Sequence, residues 1–195
     1  RRTVDRGIPS YLGKPIDTGR ETFFGSADDS FAETDVLSFD ALIEHDMDGA
    51  VLRNRTRIAD YDKFYQNVFP GAVNSAGSMV SISAYNNLTE RQNIFNQTDL
   101  IFDISQGDVI HRMLVGAELG RQDTGNFRET GYFGAPGSTA TSQSVSIDNP
   151  QPTLPIHFRQ SAGDADNDGV ADTAALYVQD QMHIGEKWQL IAGLR

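Results

Sequence analysis

The stretch EHDMDGAVLRNRTR, residues 44–57, decides the fold because a two-residue turn signal stands between two alternating segments. The Asp-Gly dipeptide at 48–49 favours a type I′ turn, which joins two antiparallel strands directly. An antiparallel ladder that begins at this turn pairs residues of opposite charge: Glu44 with Arg53, and Asp40 with Arg57. Each such pair contributes only about 0.2–1 kcal/mol, so the pairs specify the register more than they stabilise the sheet.

The alternation on both sides of the turn has a period of two residues. Between 35 and 47 the odd positions are largely apolar and the even positions largely polar, and similar patterns recur at 79–104, 109–119 and 174–194. The apolar row nearest the turn contains Leu37, Phe39, Ala41 and Ile43. The polar row contains Asp40, Glu44, Arg53, Arg55 and Arg57. Such alternation predicts antiparallel strands with one apolar face and one polar face.

The connections between these segments alternate in length. Those at 48–49, 105–108 and 185–187 are short, whereas those at about 7–33, 69–78 and 134–170 are long, polar and rich in Gly, Pro and Ser. At ~3.3 Å per residue the segment 79–104 could reach ~85 Å, far beyond a usual soluble strand. Short turns at one end and long loops at the other are typical of outer-membrane barrels, with the short turns periplasmic and the loops extracellular.

We therefore predict an all-β fold, an antiparallel up-and-down transmembrane β-barrel segment of about seven strands or part-strands. In such a segment the apolar row contacts outer-membrane lipid and the charged polar row faces a watery lumen. Two alternatives remain open at this point. One is a soluble or surface-exposed all-β binding module, and the other is an outer-membrane barrel hydrolase.

The composition narrows the classes of function. A net charge of −11 argues against nucleic acid as a partner, because phosphates need a basic surface. The chain has no cysteine and no run approaching about 18 apolar residues, which excludes a disulfide framework and a helical membrane span. No nucleophile elbow, zinc-protease helix or phosphate-binding loop occurs, so we predict neither enzyme activity nor a required cofactor. Both ends resemble the middle of a strand, and we expect a piece of a longer chain.

Four segments resemble the barrel of TonB-dependent siderophore receptors, and they are most similar to the branch that imports iron–catecholate complexes. They are TVDRGIPSYLGKPIDTGRETFFG (3–25), LRNRTRIADYDKFYQNV (52–68), HRMLVGAELGRQ (111–122) and AALYVQDQMHIGEKWQLIAGLR (174–195). The last segment, an aromatic strand followed by a short turn and then Trp and Gly-Leu-Arg, is the most specific. The resemblance covers nearly all of the chain except the loop at about 134–170.

This resemblance implies a barrel of roughly 22 strands that encloses an N-terminal plug. It also implies a receptor in the outer membrane of a Gram-negative bacterium that binds a ferric chelate outside the cell. An inner-membrane complex would energise import through a TonB box. On this basis residues 1–195 are part of the barrel domain, and the plug domain and the TonB box lie outside this chain.

Two loops contain residues suited to such a ligand. A ferric catecholate is a polyanion with aromatic rings, so cations and stacking faces would recognise it. The candidate residues of the first loop are Tyr11, Lys14, Arg20, Phe23 and Phe24, and those of the second are Arg128, Tyr132 and Phe133. The alternative is that these aromatic residues pack the loops together.

The sequence DADNDGVAD suggests a second kind of site. Asp164, Asp166, Asp168 and Asp172 have the spacing of a calcium loop, although an EF-hand would need a carboxylate where Ala175 stands. A Ca²⁺ ion there would order the loop, and the alternative is a solvated acidic loop.

Two further patterns predict no site. The four histidines are too scattered for metal ligation. The Asn-x-Thr motifs at Asn54, Asn87 and Asn96 fall inside strands, where glycosylation is not expected.

Overall fold

The computed structural model describes residues 2–195 and contains β-strands but no helix able to cross a membrane. The strands are β1 (Arg2–Thr3), β2 (Ser10–Tyr11), β3 (Lys14–Pro15), β4 (Phe31–Met47), β5 (Ala50–Val73), β6 (Met79–Gln106), β7 (Val109–Phe133), β8 (Ser142–Ser146), β9 (Ile156–Arg159), β10 (Asp166–Ile184) and β11 (Trp188–Leu194). The main sheet has the order β1-β4-β5-β6-β7-β10-β11, with β8 paired to β6 and β9 paired to β7. Within the described residues this path does not close into a barrel, and β2 and β3 form a separate two-stranded sheet.

The short turns lie where the sequence predicts them. The gaps between β4 and β5, between β6 and β7, and between β10 and β11 leave only two or three residues. A glycine with positive φ stands in each turn: Gly49 at 82°, Gly107 at 61° and Gly185 at 58°. Because a side chain disfavours this left-handed region, glycine is the residue that each turn requires.

The long connections are shorter than predicted. β5 continues to Val73, so the loop expected at 69–78 is reduced to residues 74–78. The Asn74 carboxamide oxygen closes that loop by accepting hydrogen bonds from the backbone N–H groups of Ser78 (2.9 Å) and Met79 (3.1 Å). The region 134–170 likewise contains β8, β9 and the start of β10. Pro and Gly within 69–73 look like loop residues in the sequence, but the strand accommodates them.

The predicted register of β4 and β5 is confirmed by two ion pairs. Arg53 Nε lies 2.6 Å from Glu44 Oε1, and Arg57 Nε lies 3.1 Å from Asp40 Oδ1. These side chains are about half exposed, and surface pairs of this kind add little stability. Their role is to select one alignment of the two strands.

The chain divides into two compact units, and unit 1 contains a hydrophobic core. Unit 1 comprises residues 2–35, 61–90 and 125–168. Its core contains Phe24, Val68, Val80, Ile82, Ala84, Phe133 and Val145. Ser30 joins the segment before β4 to this core, because its hydroxyl accepts from Val68 N–H (3.0 Å) and donates to Val68 C=O (3.2 Å). One side chain thus satisfies both backbone groups of a buried residue.

Unit 2 comprises residues 36–60, 91–124 and 169–195, and it buries little apolar surface. Within these described ranges Ala59 is the one buried hydrophobic residue. The apolar row near the first turn is open, with Leu37 77%, Phe39 64% and Ile43 66% exposed. Contiguous exposed apolar surface of this kind marks a face that another medium or partner covers.

Candidate functional site

Two arginines and three aromatic residues form the arginine–tyrosine cluster of unit 1. Its members are Arg6, Tyr65, Phe69, Tyr85 and Arg128. Arg6 follows β1, while Tyr65 and Phe69 lie on β5, Tyr85 on β6 and Arg128 on β7. Successive side chains of a strand point to opposite faces. Because Val68 and Ala84 belong to the core, their neighbours Phe69 and Tyr85 project from the other face of the sheet.

Tyr85 is the centre of the cluster. Arg6 Nη2 donates a hydrogen bond of 2.6 Å to the Tyr85 hydroxyl, and the Arg6 guanidinium carbon lies 4.3 Å from the centroid of the Phe69 ring. The Arg128 guanidinium carbon lies 4.2 Å from the centroid of the Tyr85 ring. The Tyr85 ring is also 5.6 Å from both the Tyr65 and the Phe69 rings, centroid to centroid. The site therefore combines two cations with three aromatic rings.

The two phenols of the cluster have different acidities. Burial has the largest influence on Tyr65 and acts to raise its pKa, but the hydrogen bond that its oxygen accepts from Tyr85 and the nearby Arg6 charge bring that pKa below its ordinary value. Tyr85 has a raised pKa, because its ring is partly buried and its hydroxyl donates to the Tyr65 oxygen over 3.4 Å. Tyr65 is thus the acceptor of the pair and Tyr85 the donor.

Asp164 balances part of the charge of Arg128. Arg128 Nε lies 3.2 Å from Asp164 Oδ1, although the N–H is not aimed well enough for a hydrogen bond. The Asp164 side chain is only 6% exposed, and it accepts hydrogen bonds from the Thr130 hydroxyl (2.8 Å) and from Ser161 N–H (2.9 Å). Burial would raise the pKa of Asp164, but these hydrogen bonds and the Arg128 charge hold it below its ordinary value.

A second cation–aromatic contact lies on β7 and β9. The Arg159 guanidinium carbon is 3.6 Å from the centroid of the Tyr132 ring, and Arg159 Nη2 donates to the Ser138 carbonyl oxygen over 2.5 Å. His157 is the register partner of Tyr132, and its Nε2 atom is buried without a hydrogen-bond partner among the described residues. This group therefore offers another guanidinium and a nitrogen with unused hydrogen-bonding capacity.

The structure places the residues predicted to bind a ligand in several environments. Arg128 belongs to the arginine–tyrosine cluster, and Tyr132 lies beneath Arg159. Phe24 and Phe133 are each 1% exposed and pack the core, as the alternative interpretation of these aromatic residues proposed. Of the remaining predicted residues, Tyr11 donates to the Ser75 carbonyl oxygen (2.6 Å), Lys14 and Arg20 are exposed, and Phe23 is half-buried.

Sequence reasoning missed Arg6, Tyr85, Arg159 and His157 as members of a site. Arg6 and Tyr85 are separated by 79 residues, so no local motif could associate them. The available signal was periodicity, because Tyr65, Phe69 and Tyr85 interrupt a polar row with aromatic rings. Arg159 and His157 lie in a segment that was expected to be loop, where no alternation was assumed.

The expectation of a calcium loop finds no support in the structure. No group of three or more histidine, aspartate or glutamate side chains that could hold a metal occurs within residues 2–195. Asp166, Asp168 and Asp172 belong to β10, and the extended strand spreads carboxylates along its length instead of directing them to one point. The Asp164 carboxylate already contacts Arg128, Thr130 and Ser161. Asp172 Oδ1 lies 3.7 Å from Arg121 Nη1.

The polar row of unit 2 borders a cavity of about 550 Å³. Its lining residues are Asp40, Arg55, Arg57, Phe95, Gln97 and Glu118. Arg53 and Arg57 are paired with carboxylates, whereas Arg55 has no ion-pair partner within the described part of the chain. The cavity therefore has one uncompensated guanidinium on its wall.

The sequence of this chain is similar to a known protein family and to a characterised class of receptor. A sequence model of the family described as TonB dependent receptor-like, beta-barrel, matches residues 2–195. The probable TonB-dependent siderophore receptor PiuA of Acinetobacter baumannii is 24% identical over 212 residues, which cover 98% of this chain and 28% of that receptor.

Solved structures show the same fold. The crystal structure of the siderophore receptor PiuA from Acinetobacter baumannii has a TM-score of 0.81 and 20% identity, over 98% of this chain and 30% of that one. The open form of the ferric-catecholate import receptor Fiu from E. coli K12 has a TM-score of 0.70 and 21% identity, over 98% of this chain and 31% of that one. This chain thus spans less than a third of the length of these relatives.

Proposed function

This chain belongs to the family of TonB-dependent receptor-like β-barrels, and from that premise we propose that it is part of an outer-membrane receptor that imports a ferric siderophore. Its action is selective binding and gated transport, and it breaks no covalent bond of the ligand. The family match and the siderophore receptors to which the chain is similar support this proposal.

The arginine–tyrosine cluster is the observation that supports a catecholate as the ligand. A ferric catecholate combines negative charge with aromatic rings, and the cluster offers two guanidiniums and three rings on one face of unit 1. Arg6 is exposed and lies outside the strands, in the segment after β1, so its guanidinium can exchange its contacts with Tyr85 and Phe69 for contacts with a ligand. The similarity to a ferric-catecholate import receptor agrees with this choice.

The two faces of unit 2 have separate roles in this proposal. The exposed apolar row contacts the lipid of the outer membrane of a Gram-negative bacterium, and the polar row faces the barrel lumen. A plug domain outside this chain fills that lumen and is moved by the TonB complex. The polar row of Asp40, Glu44, Arg53, Arg55 and Arg57 gives the plug a hydrated wall, and no nucleic acid takes part.

The test measures binding of a ferric catecholate to the full-length receptor. The ferric complex of 2,3-dihydroxybenzoate is the probe, and the variant Arg6→Ala is compared with Arg53→Ala, which removes a guanidinium from unit 2 instead. Loss of a partly desolvated cation–π contact of about 1–2 kcal/mol corresponds to about 5- to 30-fold weaker binding.

We expect this loss for Arg6→Ala and an unchanged dissociation constant for Arg53→Ala. A ferric hydroxamate, which has no aromatic ring, serves as the control ligand and should not distinguish the variants. Equal affinity of the Arg6→Ala and wild-type receptors for the catecholate would overturn the assignment of the cluster.

A further inference from the structure

Two Asn-x-Thr segments meet on the apolar face of unit 2. Asn54 and Thr56 lie on β5, and Asn96 and Thr98 lie on β6. We call these four residues the amide quartet. Neighbouring positions of the same face hold Ile58 and Ile94, which are 50% and 49% exposed. Four polar side chains thus stand beside apolar neighbours on this face.

The amide quartet is closed by hydrogen bonds between its own members. Each carboxamide nitrogen donates to the threonine of the other strand at 2.7 Å and to the oxygen of the other carboxamide at 3.1 Å. Each threonine hydroxyl donates to the asparagine of its own strand, at 3.3 Å from Thr56 and 3.4 Å from Thr98. The two strands make equivalent contributions. All four amide N–H bonds and both hydroxyls therefore have acceptors.

This closure matters because of where the quartet lies. An amide that is transferred from water to apolar surroundings without a hydrogen bond costs roughly 2–7 kcal/mol. A set that satisfies itself avoids this cost whether lipid or protein covers the face. The quartet also explains two of the three Asn-x-Thr motifs without any modification of the asparagine.

The closed set exists at only one alignment of β5 and β6. The two shortest hydrogen bonds join residue 54 to 98 and residue 56 to 96. Alternation of apolar and polar residues excludes a shift by one residue but tolerates a shift by two. A shift by two residues would place Thr56 opposite Ile94 in one direction, or Asn54 opposite Leu100 in the other. Either shift leaves amide or hydroxyl groups facing hydrocarbon side chains.

We propose that the amide quartet locks the register of β5 and β6 and thereby positions the polar row on the opposite face. Residues 55 and 97 lie between the paired positions, and Arg55 and Gln97 line the same cavity. A shifted register would move the arginines of β5 along the polar side chains of β6. The four residues are therefore positioning residues for a surface that they do not touch.

Disulfide mapping in the full-length protein tests this proposal, because residues 1–195 contain no cysteine. Any cysteine elsewhere is replaced first. Arg55→Cys is combined in turn with Phe95→Cys, Gln97→Cys and Asp99→Cys, which report three alternative registers. Directly opposed positions have Cβ atoms close enough for a disulfide, whereas shifted positions do not.

The decisive variant replaces the whole quartet with apolar residues: Asn54→Leu, Thr56→Val, Asn96→Leu and Thr98→Val. It leaves no unsatisfied polar group in the quartet, so we expect the fold to survive, and heat-modifiable gel mobility tests this. We expect the 55–97 disulfide to dominate in the native background. In the apolar variant we expect its excess over the 55–95 and 55–99 products to fall at least about tenfold, equivalent to ~1.4 kcal/mol.

The matched control uses the third Asn-x-Thr motif. Asn87 donates to Thr89 of its own strand (3.0 Å), and the Thr89 hydroxyl donates to Asn126 on β7 (3.1 Å). These hydrogen bonds do not join β5 to β6, so Asn87→Leu with Thr89→Val should leave the disulfide pattern unchanged. A folded apolar variant that still forms only the 55–97 disulfide would overturn the proposal, because the register would then be set elsewhere. If the apolar variant loses the fold, the single change Asn96→Leu is mapped by the same criterion. The experiment needs no ligand, so its outcome is independent of the siderophore assignment.

Discussion

Asp164 shows how one buried side chain can make unit 1 sensitive to pH. Its pKa is lowered in the folded state from an ordinary value of 3.8, so folding favours the ionised carboxylate. The stabilisation it supplies is fully present above that ordinary value and disappears as the pH falls through the lowered folded pKa. Above this window, Asp164 stabilises the contact between Arg128 and the segment that contains Ser161.

We therefore predict that Asp164→Asn lowers the free energy of unfolding at pH 7 by about 1–3 kcal/mol, because Arg128 loses its carboxylate partner. The difference from wild type should begin to shrink as the pH falls below about 4, where the unfolded carboxyl group takes up a proton, and it should vanish once the pH passes below the lowered folded pKa. Thermal unfolding over a pH series measures this change. The exposed Asp166 provides the control Asp166→Asn, which should match wild type throughout. A pH-independent difference for Asp164→Asn would contradict the assignment.

At the scale of strands, glycine and aromatic residues interlock on the polar face of unit 2. A Cβ atom on Gly116 of β7 would overlap the ring of Tyr177 on β10, and a Cβ atom on Gly120 would overlap the ring of Phe95 on β6. The Tyr177 ring cannot move freely, because its hydroxyl donates to Asp99 Oδ1 at 2.5 Å. Asp99 is only 6% exposed, so that hydrogen bond satisfies a buried carboxylate.

We predict that Gly116→Ala destabilises the protein by about 1–3 kcal/mol by displacing the Tyr177 ring and breaking its bond to Asp99. A double-mutant cycle isolates this cause. In a Tyr177→Ala background the ring is absent, and Gly116→Ala should then cost little. Urea unfolding in lipid vesicles supplies the free energies. An equal cost in both backgrounds would show that the added methyl group acts through the backbone and not through the ring.

The elements predicted well from the sequence depend on local signals. The turn at 48–49 and the charge pattern around it are contiguous, and they were sufficient to predict the Glu44–Arg53 and Asp40–Arg57 pairs. The end of β5 was not predicted, because Pro70 and Gly71 are turn formers and pairing with the neighbouring strand β6 overrides this local preference. Phe24 illustrates the same limit, since only the folded path of its segment shows that it packs against the core.

At the scale of the whole molecule, the central question is what covers the open apolar row. A soluble sheet would bury such a row against a second layer, yet Leu37, Phe39 and Ile43 remain more than half exposed while unit 1 has a core of its own. The family to which the chain belongs supplies the answer that we propose, a bilayer in contact with this face. The charged row on the opposite face then needs an aqueous enclosure, because ionised groups in hydrocarbon carry a large free-energy penalty.

A matched pair of substitutions tests which face meets lipid. Phe39→Arg puts a guanidinium on the apolar face, and Ser38→Arg puts the same group on the adjacent polar position, where water can hydrate it. In the full-length protein we expect Phe39→Arg to lower the free energy of unfolding in lipid vesicles by about 2–4 kcal/mol, the cost of arginine near the middle of a bilayer. Ser38→Arg should change it by less than about 0.5 kcal/mol. The opposite order, or wild-type protein recovered in the soluble fraction without detergent, would refute the assignment of the two faces.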